Sequence, residues 1–152
     1  MYSNKILEKE DDIQESDLEE VEITFGFKFP TSIREHYLMY NGGYPEKSLF
    51  VGADNSEHIV EFFIPVKNEE RSLLSILTLL DDEQIKPVWL IPFADEDGGN
   101  LFCFSIREKD NGAIYYYNHE FDYGEDPEDY IEYLSDSLPN FINSLIEYEE
   151  EE

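Results

Sequence analysis

Apolar residues recur along the chain at two different spacings, which predict helices near both ends and strands between them. A nearly continuous apolar stretch over 72–80 is typical of a helix buried against a sheet. Three later apolar segments, separated by turn residues, predict consecutive strands. The predicted elements are helices over 2–12, 16–23 and 30–41, strands over 47–51 and 59–65, a helix over 72–80, strands over 88–93, 101–107 and 113–118, and a last helix from Pro127.

The ends of several predicted elements carry residues with defined roles. Pro30 ends the preceding segment, and Thr31 or Ser32 can cap the next helix, which Asn41 and the glycines at 42–43 would end. Ser16 and Glu19 form a capping-box pattern, and Asn111-Gly112 predicts a type I′ hairpin. Pro139 should kink or divide the last helix. Its expected buried stripe is Ile131, Leu134, Leu138, Phe141, Ile142, Leu145 and Ile146.

This order of elements predicts an α+β fold in a single domain over 1–152, with a core over about 15–148 and an acidic tail over 149–152. We expect a mixed, mostly antiparallel sheet that packs against N- and C-terminal helices. The length suffices to bury about two-thirds of the unfolded surface. The 11 tyrosines and 11 phenylalanines supply material for a core.

The net charge of −27 restricts the classes of partner. All ten Lys and Arg residues lie at or before Lys109. The electrostatic field of so acidic a protein repels nucleic acids and anionic lipids, whereas it would accelerate association with a basic protein. The alternative is that the acidity only keeps the protein in solution. The N-terminus lacks the pattern of a signal peptide, and no stretch has the length of a membrane span, so we expect a soluble, cytoplasmic protein.

The residue types that carry catalysis or bind metals form no recognisable motif. Cys103 is the single cysteine and lies in an apolar strand, so we expect a buried thiol without a disulfide or a cysteine zinc site. Three histidines lie far apart in the sequence. The acids from Asp95 to Asn100 fail the spacing of an EF-hand, and the glycines at 98–99 lack the lysine of a phosphate-binding loop. We expect no enzyme activity, no cofactor and no metal.

Two motifs in the chain form a recognisable pair. The first is a predicted helix ending in Gly, then Phe29-Pro30, then a tyrosine-bearing helix that stops at Asn41-Gly42-Gly43. The second is Ile91-Pro92-Phe93-Ala94-Asp95, followed by Asp97-Gly98-Gly99-Asn100 and an apolar strand. In this order the two motifs resemble the SUKH superfamily, whose founding members are Smi/Knr-type regulators of yeast, and the resemblance implies the α+β fold predicted above. The resemblance implies one of two non-enzymatic functions: a bacterial immunity protein that binds and blocks a cognate secreted toxin, often a nuclease, or a regulatory or scaffold module that acts on an intracellular partner.

A partner-binding surface is expected on two acidic segments that flank the family's central strands. Loops on a rigid sheet commonly carry recognition, and tyrosines within an acidic rim suit a basic partner. The alternative is that the tyrosines only cover the edge of the sheet under the last helix. The predicted partner-binding residues are Asp95, Glu96, Asp97, Glu120, Asp122, Tyr123, Glu125 and Asp126.

Overall fold

The computed structural model describes residues 2–67, 72–83, 87–96, 100–118 and 131–148. Its main feature is a five-stranded sheet in which all pairings are antiparallel. The strands lie in the order β5-β6-β7-β8-β9. They are β5 (Phe62–Phe63), β6 (Leu90–Asp95), β7 (Leu101–Ser105), β8 (Ile114–Tyr117) and β9 (Ile131–Ser135). The three consecutive strands predicted from the sequence correspond to β6, β7 and β8, and the predicted α+β fold is confirmed.

Within the described ranges, four helices accompany the sheet: α1 (Glu15–Phe25), α2 (Thr31–Met39), α3 (Leu73–Glu83) and α4 (Leu138–Ser144). The first three were predicted, but two of the predicted caps are wrong. Helix α1 begins after Gln14, whose N–H donates to the Asp17 carboxylate, so Ser16 and Glu19 are not the capping pair. Helix α2 has Pro30 at its N-cap, without a side-chain cap. The fixed φ of proline sets the entry into this helix instead of a hydroxyl.

The N-terminal segment is extended, which corrects the predicted helix over 2–12. Strand β1 (Ile6–Leu7) pairs with β2 (Tyr44–Pro45), the segment that follows α2. A second small sheet pairs β3 (Leu49–Val51) with β4 (Glu57–Ile59). An isolated helix as short as the one predicted over 2–12 is marginally stable, so pairing with the distant strand β2 determines the conformation of the N-terminal segment.

The predicted last helix is wrong in its first half. Residues Ile131 to Ser135 form β9, which pairs with β8, and helix α4 starts only after Ser137. The Ser137 hydroxyl accepts a hydrogen bond from the Asn140 N–H, and Pro139 lies in the first turn, where its missing N–H costs nothing. Of the expected stripe, Leu138, Phe141, Ile142 and Leu145 are buried, whereas Ile146 is 51% exposed.

Aromatic side chains from helices and sheet meet in the core. Phe141 of α4 packs against Phe93 and Phe102 of the sheet, at ring-centroid distances of 6.1 and 5.6 Å. Phe29, before α2, packs against Phe104 of β7. Cys103 is a buried thiol in β7, as expected. Among the helices in the described ranges, none is long and apolar enough to cross a membrane.

Asn41 does not end α2, which corrects its predicted role. The helix stops at Met39, and the Asn41 side chain, in a residue only 1% exposed, joins two other segments. Its amide nitrogen donates to the carbonyl oxygens of Asp11 and Lys67, and its oxygen accepts from the Val66 N–H. Gly43 follows with φ of +82° beside the backbone of β1. This junction fixes the N-terminal segment and residues 66–67 against the end of α2.

The connection between β7 and β8 is longer than a two-residue hairpin. A short 3₁₀ helix, Glu108–Asp110, precedes the turn. Asn111 has φ of −53° and ψ of 121°, and Gly112 has φ of +86°. Only the second position is left-handed, so the turn is of type II and the predicted type I′ turn is wrong.

Candidate protein-interaction site

The two acidic segments predicted to bind a partner join the sheet at the same end. Asp95 in β6 pairs with Leu101 in β7, Leu101 pairs with Tyr117 in β8, and Tyr117 pairs with Ile131 in β9. The chain therefore leaves β6 and β8, and enters β7 and β9, at neighbouring positions. We call the described residues at this edge, 95–96, 100–101, 117–118 and 131, together with the described side chains that contact them, the acidic sheet end.

Asp95 lies in a strand and not in a loop, which corrects that part of the expectation. It is 7% exposed and pairs on both sides, with Phe62 of β5 and with Leu101 of β7. Its backbone carbonyl also accepts a hydrogen bond from the Glu61 N–H. The ladder continues through Asp95 because both neighbouring strands reach it.

Glu96 is held by residues from two other strands. One carboxylate oxygen accepts a hydrogen bond from the Tyr116 hydroxyl at 2.6 Å, and the other accepts from the Ile59 N–H at 3.0 Å. The side chain is 18% exposed. The Tyr116 hydroxyl in turn accepts from the side-chain amide of Asn100. Glu96 thus connects β4 and β8 to the acidic sheet end.

His58 of β4 lies between two carboxylates beside this network. Its Nε2 is 2.8 Å from a carboxylate oxygen of Glu132, and its Nδ1 is 3.9 Å from Glu96. Its ring packs on Tyr116, with centroids 4.0 Å apart. The other Glu132 oxygen accepts from the Ser56 hydroxyl. Together with the bond from the Ile59 N–H to Glu96, these contacts attach the β3–β4 hairpin to the acidic sheet end.

Sequence analysis missed His58, Tyr116 and Glu132 as members of one group. They come from three strands: the β8–β9 pairing places Tyr116 opposite Glu132, and the β3–β4 hairpin, which forms a separate sheet, brings His58 against both. The cross-strand pair Tyr116–Glu132 could have been found only if β9 had been recognised as a strand.

The remaining predicted partner-binding residues lie outside the described ranges. They are Asp97, Glu120, Asp122, Tyr123, Glu125 and Asp126. The glycines at 98–99, considered above for a phosphate loop, also lie there, as does His119. In the sequence, residues 119–130 contain six acids and neither Lys nor Arg.

The described part of the chain contains no cluster of three or more His, Cys, Asp or Glu side chains that could hold a metal ion. His36 is 3% exposed, and its Nδ1 shares a hydrogen bond with the Tyr2 hydroxyl. Burial lowers the pKa of His36 to about 3, so its ring is neutral at physiological pH. Its Nε2 and the Tyr37 hydroxyl have no hydrogen-bond partner among the described residues.

A second polar cluster lies at the opposite end of the sheet. The Arg107 guanidinium stacks on Trp89 at 3.4 Å from the ring centroid and binds the Asp110 carboxylate through Nε and Nη2. Burial alone would raise the pKa of Asp110, but hydrogen bonds from Arg107, Ser105 and Tyr115 outweigh it and hold that pKa at about 2. Burial and the bond to Asp110 raise the pKa of Tyr115 to about 12. In this cluster the positive charge of Arg107 balances the negative charge of Asp110, and their hydrogen bonds stabilise the β7–β8 connection.

A comparison with protein families identifies one match. The model of the SMI1/KNR4 family (SUKH-1) matches residues 12–144, which include every element from α1 to α4. A search of curated proteins gives no match to the chain.

Proposed function

Because the chain belongs to the SMI1/KNR4 family (SUKH-1), we propose that it is an immunity protein that binds and neutralises a cognate toxin, a basic nuclease domain. The observation that carries this proposal is the position of the acidic sheet end. Two acidic segments join the sheet at one end, and the chain has a net charge of −27. A nuclease that binds phosphates needs a basic cleft, which such a surface would attract.

The proposed mechanism is stoichiometric occlusion, without turnover or a cofactor. The bound protein would cover the toxin's cleft or a surface beside it, and thereby exclude its substrate. Electrostatic attraction would accelerate association at low salt. At physiological ionic strength the field of exposed charges is screened beyond about 8 Å, so the rate should fall as salt is added.

The proposed contact residues are Asp97, Glu120, Asp122, Tyr123, Glu125 and Asp126. Asp95 and Glu96 belong to the same surface, where their hydrogen bonds would keep the strand ends in place for the acidic segments. Such a division between anchoring residues and contacting residues gives a rigid base to loops that recognise a partner.

The proposal is tested by co-expression with the toxin-domain protein encoded by an adjacent gene. The chain should restore growth, and Cys103→Ser and His36→Ala variants that remain folded should protect as well as the parent. Loss of protection in a folded variant of this kind, together with measurable turnover of a substrate, would show an enzyme instead.

Charge reversal locates the surface. Reversal of Asp122, Glu125 and Asp126 to lysine should slow association with the toxin and reduce its salt dependence. Reversal of Asp11, Glu19 and Glu20, which are exposed near α1, changes the net charge equally and serves as the matched control. Equal effects of the two triple variants would mean that net charge alone attracts the partner.

The regulatory or scaffold function is the second candidate, and the family match itself supports it, since the family includes Smi/Knr-type regulators. Purification of the chain from its own cells distinguishes the two functions. A basic toxin domain at one-to-one stoichiometry supports immunity, whereas a kinase or cell-wall enzyme of the host supports the second candidate.

A further inference from the structure

Strand β9 is an open edge of the five-stranded sheet. It is the last strand in the order, and β8 is its neighbour on one side. No backbone hydrogen bond on its other side reaches any residue in the described ranges. The opposite edge strand is covered, because the Phe63 N–H of β5 donates to the Gly43 carbonyl. An edge strand presents a row of N–H and C=O groups that can pair with a further strand.

Strand β9 lacks two of the usual protections of an edge strand, lysine and proline, and carries the third, a bulge, only near its C-terminal end. Lysine, proline or a bulge that turns the edge away commonly prevents further pairing. Residues Ile131 to Ser135 contain neither lysine nor proline. Their one charge, Glu132, is engaged by His58 and Ser56 of the neighbouring hairpin. The register shift in this pair places an extra residue, Leu134, in β9, because Ile114 pairs with Ser135 and Tyr115 with Tyr133; the pairing is regular over residues 131–133.

The two faces of β9 carry different side chains. Tyr133 is 58% exposed and packs edge-on against Tyr115, with ring centroids 5.6 Å apart. Glu132 lies on the other face, where its side chain is 37% exposed. Asp136, one residue beyond the strand, is exposed. An added strand would therefore meet an aromatic side chain on one face, the Glu132 carboxylate on the other, and the Asp136 carboxylate beyond the end of the strand.

We propose that β9 is a docking edge for an extended basic segment of the partner protein, which would add a sixth strand to the sheet. Its side chains would alternate. Aromatic or β-branched residues would pair with Tyr133, and lysine or arginine would face Glu132 and Asp136. Main-chain hydrogen bonds would supply affinity, and this alternation would supply specificity. The inference rests on the proposed function for the identity of the partner.

Charge complementarity selects this occupant over a second copy of the chain. Two copies paired through β9 would bring together molecules that each carry a net charge of −27. Like charges placed opposite each other across strands destabilise the pair. A basic segment converts the same carboxylates into favourable partners.

The probe is a synthetic ten-residue peptide that alternates lysine with valine and tyrosine. It should bind the wild-type chain, more weakly as salt increases, and should slow hydrogen exchange of the amides in 131–135. A peptide of equal charge with proline at alternate positions should not bind, because proline cannot donate to the ladder. No binding at millimolar peptide, or slowed exchange confined to other strands, would overturn the proposal.

A matched pair of variants tests the edge itself. Tyr133→Lys should weaken peptide binding at least tenfold, whereas Tyr148→Lys, at a tyrosine that is 44% exposed, should bind as the wild type does. Equal binding by both variants would exclude β9 as the site. If the wild type sediments as a dimer and Tyr133→Lys as a monomer, a second copy occupies the edge and the proposal is wrong.

The co-expression experiment separates this inference from the proposed function. If the wild type protects cells and a folded Tyr133→Lys variant protects equally, the docking edge is wrong and the immunity function stands. If the wild type does not protect, the proposed function fails, and the peptide measurement still decides whether β9 accepts a strand.

Discussion

Replacement of Asn41 by alanine should destabilise the protein by several kcal/mol without touching the acidic sheet end. The side chain makes three hydrogen bonds of 3.0 Å or less, to the backbone of Asp11, Lys67 and Val66, in a residue 1% exposed. Each such bond contributes about 1 kcal/mol, and the Val66 N–H left buried without an acceptor adds about 1 kcal/mol more. The expected loss is about 4 kcal/mol.

Urea denaturation measures this loss. With an m-value of about 2 kcal/mol/M, the midpoint should fall by about 2 M while m stays constant. Asn41→Asp retains an acceptor for the Val66 N–H but directs a second carboxylate oxygen at the two carbonyls. It should therefore destabilise at least as much as Asn41→Ala.

Asn143→Ala is the control, because the Asn143 side chain is exposed and bonds only to Ser3 among the described residues. Asn143→Ala should lower the free energy of unfolding by less than about 1 kcal/mol. A loss below about 1 kcal/mol for Asn41→Ala would refute the role of Asn41 as a clamp between three segments.

Two further predictions concern stability. The folded pKa of His36 (about 3) lies below its unfolded value, so the stability it contributes is present above pH 6.5 and is lost as pH falls toward 3. The stability advantage of wild type over His36→Leu should therefore shrink by about 1.4 kcal/mol per pH unit below 6.5, and a pH-independent difference would contradict this. Gly43→Ala should lower the free energy of unfolding, measured by urea denaturation, more than Gly26→Ala does. The added Cβ at position 43 would lie 2.5 Å from the Leu7 carbonyl oxygen, whereas the Cβ at position 26 meets nothing within 4 Å. Equal losses would show that β1 moves aside.

Local patterns predicted the elements whose structure is decided locally. Helix α2 and strands β6 to β8 have proline, glycine or asparagine near their ends, and α3 is a nearly continuous apolar stretch of helical length. The errors fall where pairing with a distant segment determines the outcome. Ile131, Leu134 and Leu138 have helical spacing, yet the first two lie in β9 because β8 offers an edge for pairing.

The candidate site was predictable only in part. The acidic segments are visible in the sequence, and the strand registers bring their ends together. The network around Glu96 was not predictable, because His58, Tyr116 and Glu132 come from separate strands. Asp95 was expected in a loop because the predicted strand ended at Phe93, but two neighbouring strands extend the ladder through it.

The most direct test of the central claim is a titration of the purified cognate toxin with the purified chain, with the toxin's activity as readout. Stoichiometric occlusion predicts that activity falls linearly and reaches its end point at one molecule of the chain per toxin. It also predicts that full activity returns when the complex is separated under denaturing conditions and the toxin is refolded. Loss of activity at a small fraction of one equivalent, with toxin that stays inactive after separation, would show catalytic inactivation and contradict the account.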